Sequence, residues 1–119
     1  MGDADKAMEC YEEALRVRRK LLGDDHPSLA NTLHNMGAVF CESGDPEMAF
    51  ECLDEALRIR QLIYGEEHLD VADTLQWLGN VFREWEDYDE AVDYFMEALM
   101  VKEQLLGEMH LDVANALHN

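Results

Sequence analysis

Residues 23–33 read GDDHPSLANTL, residues 65–75 read GEEHLDVADTL, and residues 107–117 read GEMHLDVANAL. The stretches are 42 residues apart, and each sets a Gly three positions ahead of a His. A catalytic histidine is needed once. A histidine recurring at a fixed spacing is either one of an array of ligands or part of a joint that the architecture requires in every copy.

The repetition extends well beyond these stretches. Sliding the sequence by 42 aligns residues 2–43 with 44–85, and 19 of the 42 positions are identical. Residues 86–119 match the second copy at 13 of 34 positions. Self-similarity over the whole chain is the mark of a solenoid, in which a unit too small to bury its own apolar face stacks on its neighbours.

Within each copy the apolar residues fall at helical spacing. Leu29, Ala30, Leu33, Met36, Gly37 and Phe40 recur at steps of three and four and give one buried helix face. A second pattern follows Ser43-Gly44: Ala49, Cys52, Leu53, Ala56, Leu57 and Ile63. Asp45 is a good N-cap, with Pro46 suited to the first helical position, where no amide donor is needed. Asp3 and Asp87 repeat the cap, and Gly23, Gly65 and Gly107 stand where the second helix of each copy should end. Acids crowd the start of each second helix. Bases gather toward its end: Arg16, Arg18, Arg19 and Lys20, then Arg58 and Arg60, then Lys102. This complements the helix macrodipole and reads as structural.

The pattern Leu33-x2-Met36-Gly37-x2-Phe40 followed by Ala49-x3-Leu53-x2-Ala56 resembles the tetratricopeptide repeat. Leu75-x2-Leu78-Gly79-x2-Phe82 with Ala91-x3-Phe95-x2-Ala98 matches it again; Ala7, Tyr11 and Ala14 supply the second half of an earlier copy. Gly37 and Ala49, or Gly79 and Ala91, lack bulk where paired helices must approach closely. Two features depart from the common form. The period exceeds the usual length of about 34, and Arg19, Gln61 and Glu103 stand where that form has a late proline. The longer period and the G-x-x-H joint resemble the 42-residue variety of kinesin light chains. The resemblance implies an all-α, right-handed α-solenoid of antiparallel helix hairpins. The expected divisions are a second helix over 3–22, complete repeats over 28–64 and 70–106, and a truncated first helix over 112–119.

It also implies a concave groove lined by the first helices, with a non-catalytic role in holding a protein or peptide. Residue spacing then selects the inward side chains: Asn31, His34, Asn35, Ala38, Cys41 and Glu42 from one copy, and Asp73, Gln76, Trp77, Asn80, Arg83 and Glu84 from the next. Asn115, His118 and Asn119 begin the same face in the last copy. Amides and imidazoles both donate and accept, as an extended peptide backbone requires. Trp77 serves either as a ligand anchor or as packing between copies. Trp85, at the turn, reads as a packing or cap residue. Arg83 is the only base on this face, so the carboxylate clamp of some relatives is missing and a neutral, apolar or basic partner fits better than an acidic one.

Composition narrows the classes further. The 119 residues hold 27 Asp and Glu against nine Lys and Arg, a formal charge of −18. Such a surface is repelled by nucleic-acid phosphates and by anionic membranes. No apolar run reaches membrane-spanning length and no signal peptide is present. Cys10, Cys41 and Cys52 form no paired framework, which fits reduced thiols in the cytoplasm. Cys10 and Cys52, equivalent in the repeat, are expected to be buried, and Cys41 to face the groove as an accessible thiol.

No enzyme constellation emerges. His34 and Cys41, seven residues apart on one helix, are separated by about 10 Å along its axis, too far for a nucleophile–base pair. No phosphate-binding glycine loop, HExxH or GxSxG occurs. His26, His68 and His110 cannot share a metal ion, because equivalent points of stacked helices lie roughly 8–10 Å apart. They are expected to stabilise the joint, with no cofactor or metal involved. Apolar faces at the first and last helices make end-to-end self-association the alternative to groove binding.

Overall fold

The computed structural model describes the backbone of residues 26–118 and, toward the N-terminus, residues 6, 9, 10, 12, 13, 16, 17, 19 and 20; side chains are described as far as residue 107. The described N-terminal residues are helical. The expected limits of their helix at 3 and 22, the Asp3 cap and the Gly23 terminus lie outside the described residues. So do Asn119 and the side chains of Asn115 and His118.

Four further helices follow: α1 (Pro27–Glu42), α2 (Pro46–Tyr64), α3 (Leu69–Glu84) and α4 (Tyr88–His118). No strand occurs among the described residues. α1 packs on α2, α3 on α4, α2 on α3, and α1 touches α3, whereas α4 packs against neither α1 nor α2 at the backbone level. This is an all-α solenoid, a series of hairpins in which each unit meets only its neighbours.

Each start is fixed by a cap visible in the sequence. The amides of Ser28 and Asp70 donate to Nδ1 of His26 and His68, both at 3.0 Å. Each imidazole thereby satisfies one of the amides that a helix start leaves without an intrahelical acceptor. The repeated histidines at 26 and 68 are joints, as expected. Asp45 Oδ1 accepts from the Met48 amide at 3.3 Å, and Asp87 Oδ1 from that of Glu90 at 3.4 Å.

The third joint departs from expectation. α4 runs without interruption through Gly107 and His110, so no break separates residues 70–106 from a new helix at 112. Gly65 ends α2 with φ +80°, whereas Gly107 keeps a helical backbone. A glycine inside a helix costs about 0.5–1 kcal/mol relative to alanine. Opening a joint strips amides and carbonyls of their helical partners on both sides of the break. The joint is therefore favoured only where the segment beyond it docks on the preceding hairpin, as α3 does on α2.

The core is shared between units. Leu29, Ala30, Leu33 and Met36 of α1 meet Cys52, Ala56 and Ile59 of α2. Ala49 and Leu53, also on α2, join Cys41 of α1 and Leu78 and Val81 of α3 in a second cluster, so α2 is buried on both sides. Around the interhelix turns, Phe82 stands edge-on to Phe50 and Trp85 at centroid distances of 5.8 and 5.2 Å. Trp85 is the C-cap residue of α3, the packing role expected for it.

Two glycines set the spacing within hairpins. A Cβ on Gly37 would lie 2.5 Å from Leu53 Cγ and 3.3 Å from the Ala49 carbonyl oxygen; on Gly79 it would lie 2.7 Å from the Phe95 ring. Gly37→Ala should destabilise the fold by roughly 1–3 kcal/mol despite alanine's better helix propensity. Urea unfolding checks this, and an unchanged or raised midpoint would show that the helices are free to move apart. The turn after α3 offers a test of opposite sign. Gly44 has φ +81°, and the equivalent Glu86 is forced to φ +60°. Glu86→Gly should raise stability by about 1 kcal/mol, because a side chain in the left-handed region costs about 1–2 kcal/mol. A fall in melting temperature would contradict it.

Candidate interaction face

The face shared by α1 and α3 is organised by a residue outside the predicted set. Arg60, on the last turns of α2, is only 6% exposed. Its Nη1 donates to the Asp70 carbonyl at 3.0 Å and to Thr74 Oγ1 at 2.8 Å, and lies 3.1 Å from His34 Nδ1. Its Nη2 donates to Asn31 Oδ1 at 2.9 Å. One guanidinium thus ties α1, α2 and α3 together. Guanidinium offers only donors, so its approach favours the His34 tautomer with a lone pair on Nδ1 and the proton on Nε2. Thr74 donates to the Asp70 carbonyl at 3.1 Å and lies equally close to His34 Nδ1.

Among the described residues this charge has no direct carboxylate partner. Burial lowers the Arg60 pKa, while the nearby Asp70 and Asp73 carboxylates oppose the shift. Nε finds no partner. Desolvation is therefore offset by neutral oxygens on the two terminal nitrogens and by the field of two aspartates. Hydrogen bonds to a charged group contribute about 1.5–3 kcal/mol each, more than neutral ones. One period later Lys102 Nζ donates to Gln76 Oε1 at 2.8 Å, the counterpart of the Arg60–His34 contact. A signal for this was present in the sequence: Arg18, Arg60 and Lys102 keep one position basic in all three copies, and Thr32 and Thr74 repeat likewise.

The predicted groove residues divide accordingly. Asn31 and His34 are engaged with Arg60, and Gln76 with Lys102. Trp77 is half-buried and packs on the cluster of Cys41, Ala49, Leu53, Leu78 and Val81. Asn35, Asp73 and Arg83 are exposed, and Ala38 and Asn80 half-buried. Cys41 corrects its expectation: it is 7% exposed and belongs to the inter-unit core, and burial raises its thiol pKa. It lies at the edge of the α1 face, where Leu78 and Val81 of α3 pack with it. Cys52 is buried, its pKa raised to about 11 chiefly by burial. Cys10 is exposed, against expectation. Repeat equivalence does not by itself supply a covering helix: Cys52 shares a cluster with Leu29 and Met36 of α1.

Both core thiols are held protonated, and His34 is held neutral as an acceptor. Among the described residues no group of three or more His, Cys, Asp or Glu is placed to hold a metal ion. No helix there is long and apolar enough to cross a membrane.

The His34 pKa is lowered from 6.5 to about 4, first by burial and then by Arg60, with Asp73 and Asp70 opposing. The unfolded chain therefore binds the proton more tightly than the folded one. This contribution to stability is intact above about pH 6.5 and is lost as pH falls toward 4. His34→Gln, which installs the residue found at the equivalent position 76, should flatten the stability loss between pH 6.5 and 4.5. Denaturant midpoints of the two proteins across that range measure it, and parallel profiles would exclude His34 as the titrating group.

The profile of the tetratricopeptide repeat family matches residues 1–60 and 29–104. The crystal structure of BtubC (BKLC) from P. vanneervenii is similar at a TM-score of 0.82 and 28% sequence identity. The alignment covers 87% of this chain and 41% of that one, so the chain spans less than half the length of that relative. No curated protein sequence matches significantly.

Proposed function

Given that the chain belongs to the tetratricopeptide repeat family, whose repeats serve as protein–protein interaction scaffolds, we propose that it holds a partner segment along the concave face of α1 and α3. The partner is an extended peptide or protein segment that is neutral, apolar or basic. The activity is binding alone, without catalysis or cofactor, in the cytoplasm.

The observation that carries this reading is the exposed remainder of the face. Once Arg60 and Lys102 have engaged Asn31, His34 and Gln76, the side chains left for a partner are Asn35, Asp73, Asn80 and Arg83, beside Ala38. Asn35 and Asn80 can each donate to a peptide carbonyl and accept from a peptide amide. Asp73, with exposed Glu42 and Glu84 at the ends of α1 and α3, outweighs Arg83 and disfavours a carboxylate-bearing ligand. Trp77 contributes as a rigid wall more than as a free anchor.

A second reading has its own support. Val92, Met96, Leu99, Met100 and Leu106 of α4 are each more than half exposed. Such a surface suits end-to-end stacking with another copy.

A peptide-library screen separates the two. Neutral and basic sequences should be enriched over acidic ones, and Asn35→Ala with Asn80→Ala should weaken the selected peptides at least tenfold with the melting temperature unchanged. Enrichment of acidic peptides, or indifference to both substitutions, would overturn groove binding. Concentration-dependent assembly abolished by Leu99→Asp and Met100→Asp, together with an empty screen, would favour stacking.

A further inference from the structure

A second recess lies away from the α1–α3 face. The backbones of α2 and α4 do not come together, and toward the end of α2 a cavity of about 180 Å³ opens between them. Its floor is apolar: Val71 and Leu75 of α3, with Met100 and Val101 of α4 forming one wall. Its rim is polar and mainly acidic: Glu66 and Glu67 from the joint between α2 and α3 and Glu97 from α4, with Gln61 of α2 and Gln104 of α4 beside them. Among the described residues no cation pairs with any of these three carboxylates.

We propose that this cleft receives a lysine or arginine side chain projecting from a partner protein. The volume accommodates roughly six waters, or one long side chain in their place. An apolar floor beneath a charged rim calls for an occupant that is apolar along its stem and cationic at its tip, the property that separates Lys and Arg from every other side chain. An aliphatic residue would fill the floor but leave three carboxylates partly desolvated and unpaired, which is costly. An acidic residue would be repelled. The net charge of −18 steers basic partners toward the surface. The cleft lies between second helices, so this assignment is independent of the groove reading.

The test uses a short peptide with one central arginine, capped at both ends, and a control carrying neutral citrulline instead. Titrated into the isotopically labelled chain, the arginine peptide should give saturable amide shifts at Glu66, Glu67, Glu97 and Val101. Glu67→Gln with Glu97→Gln should weaken it at least tenfold, and citrulline should do the same. Asn35→Ala with Asn80→Ala should leave it unchanged. Rim glutamates exchanged for glutamine keep their size, and an unaltered melting temperature confirms that the variant is folded. Three results would overturn the proposal: equal binding of the citrulline peptide, equal shifts at distant acids such as Glu42 and Glu86, or no shift up to the solubility limit.

Discussion

No hairpin of this chain can hide its own apolar surface, and everything else in the structure answers that constraint. The second helix of a unit has an inward face toward its partner and an outward face toward the next unit. Leu53 shows the arrangement in one residue: it sits over Gly37 of its own hairpin while sharing a cluster with Leu78 and Val81 of the next. Close approach within the hairpin brings the second cluster into register. That register in turn sets α1 beside α3.

Apolar packing alone does not specify how far one unit turns on the next, since oily surfaces slide at small cost. Arg60 supplies directional contacts. A guanidinium donates in a fixed plane, and its partners belong to the two helices flanking its own, so a shift of α3 along α2 would strip a buried cation of its partners. Breaking such a network is far more costly than the network's net contribution to stability, and this asymmetry makes buried polar groups specify geometry. The joint contributes to the same end. His68 holds the first turn of α3 through the Asp70 amide, and Arg60 holds the carbonyl of that same residue. The ring of His68 also stacks on Tyr64 at 4.1 Å, closing the corner.

These relations explain what the sequence disclosed. Period, caps and close-approach glycines are local or repeated features, each visible as a residue type at a fixed position. The opening histidines could be assigned to joints because two copies of one spacing must serve one geometry. Gly107 shows the boundary of that logic. Its neighbourhood in sequence is nearly that of Gly65, yet one ends a helix and the other lies within one, because the outcome depends on what docks beyond the joint. Cys41 was misplaced, and the bridging role of Arg60 missed, for a related reason. Helical spacing reports which face of a helix a residue occupies, but not whether a neighbouring unit covers the edge of that face. Arg60 read as a base favourable to a helix C-terminus, yet the last turn of α2 holds no base; that Arg60 instead reaches two other helices depends on tertiary distance.

The buried arginine also shapes the surface available to a partner. Asn31, His34 and Gln76 would otherwise be versatile groove amides and an imidazole, but their acceptor atoms are committed to cations from the second helices. The donor end of each amide, and the donor nitrogen of His34, are not used by these contacts. Asn35 and Asn80 are left as the groups able to both give and receive hydrogen bonds. A segment lying along this face therefore meets donors from the engaged residues, two bifunctional amides, and carboxylates near its edges. Peptide carbonyls satisfy the donors and a basic side chain the carboxylates, whereas an acidic side chain meets mainly repulsion. The polarity of the recognition surface thus follows from the interaction that fixes the stacking of the units.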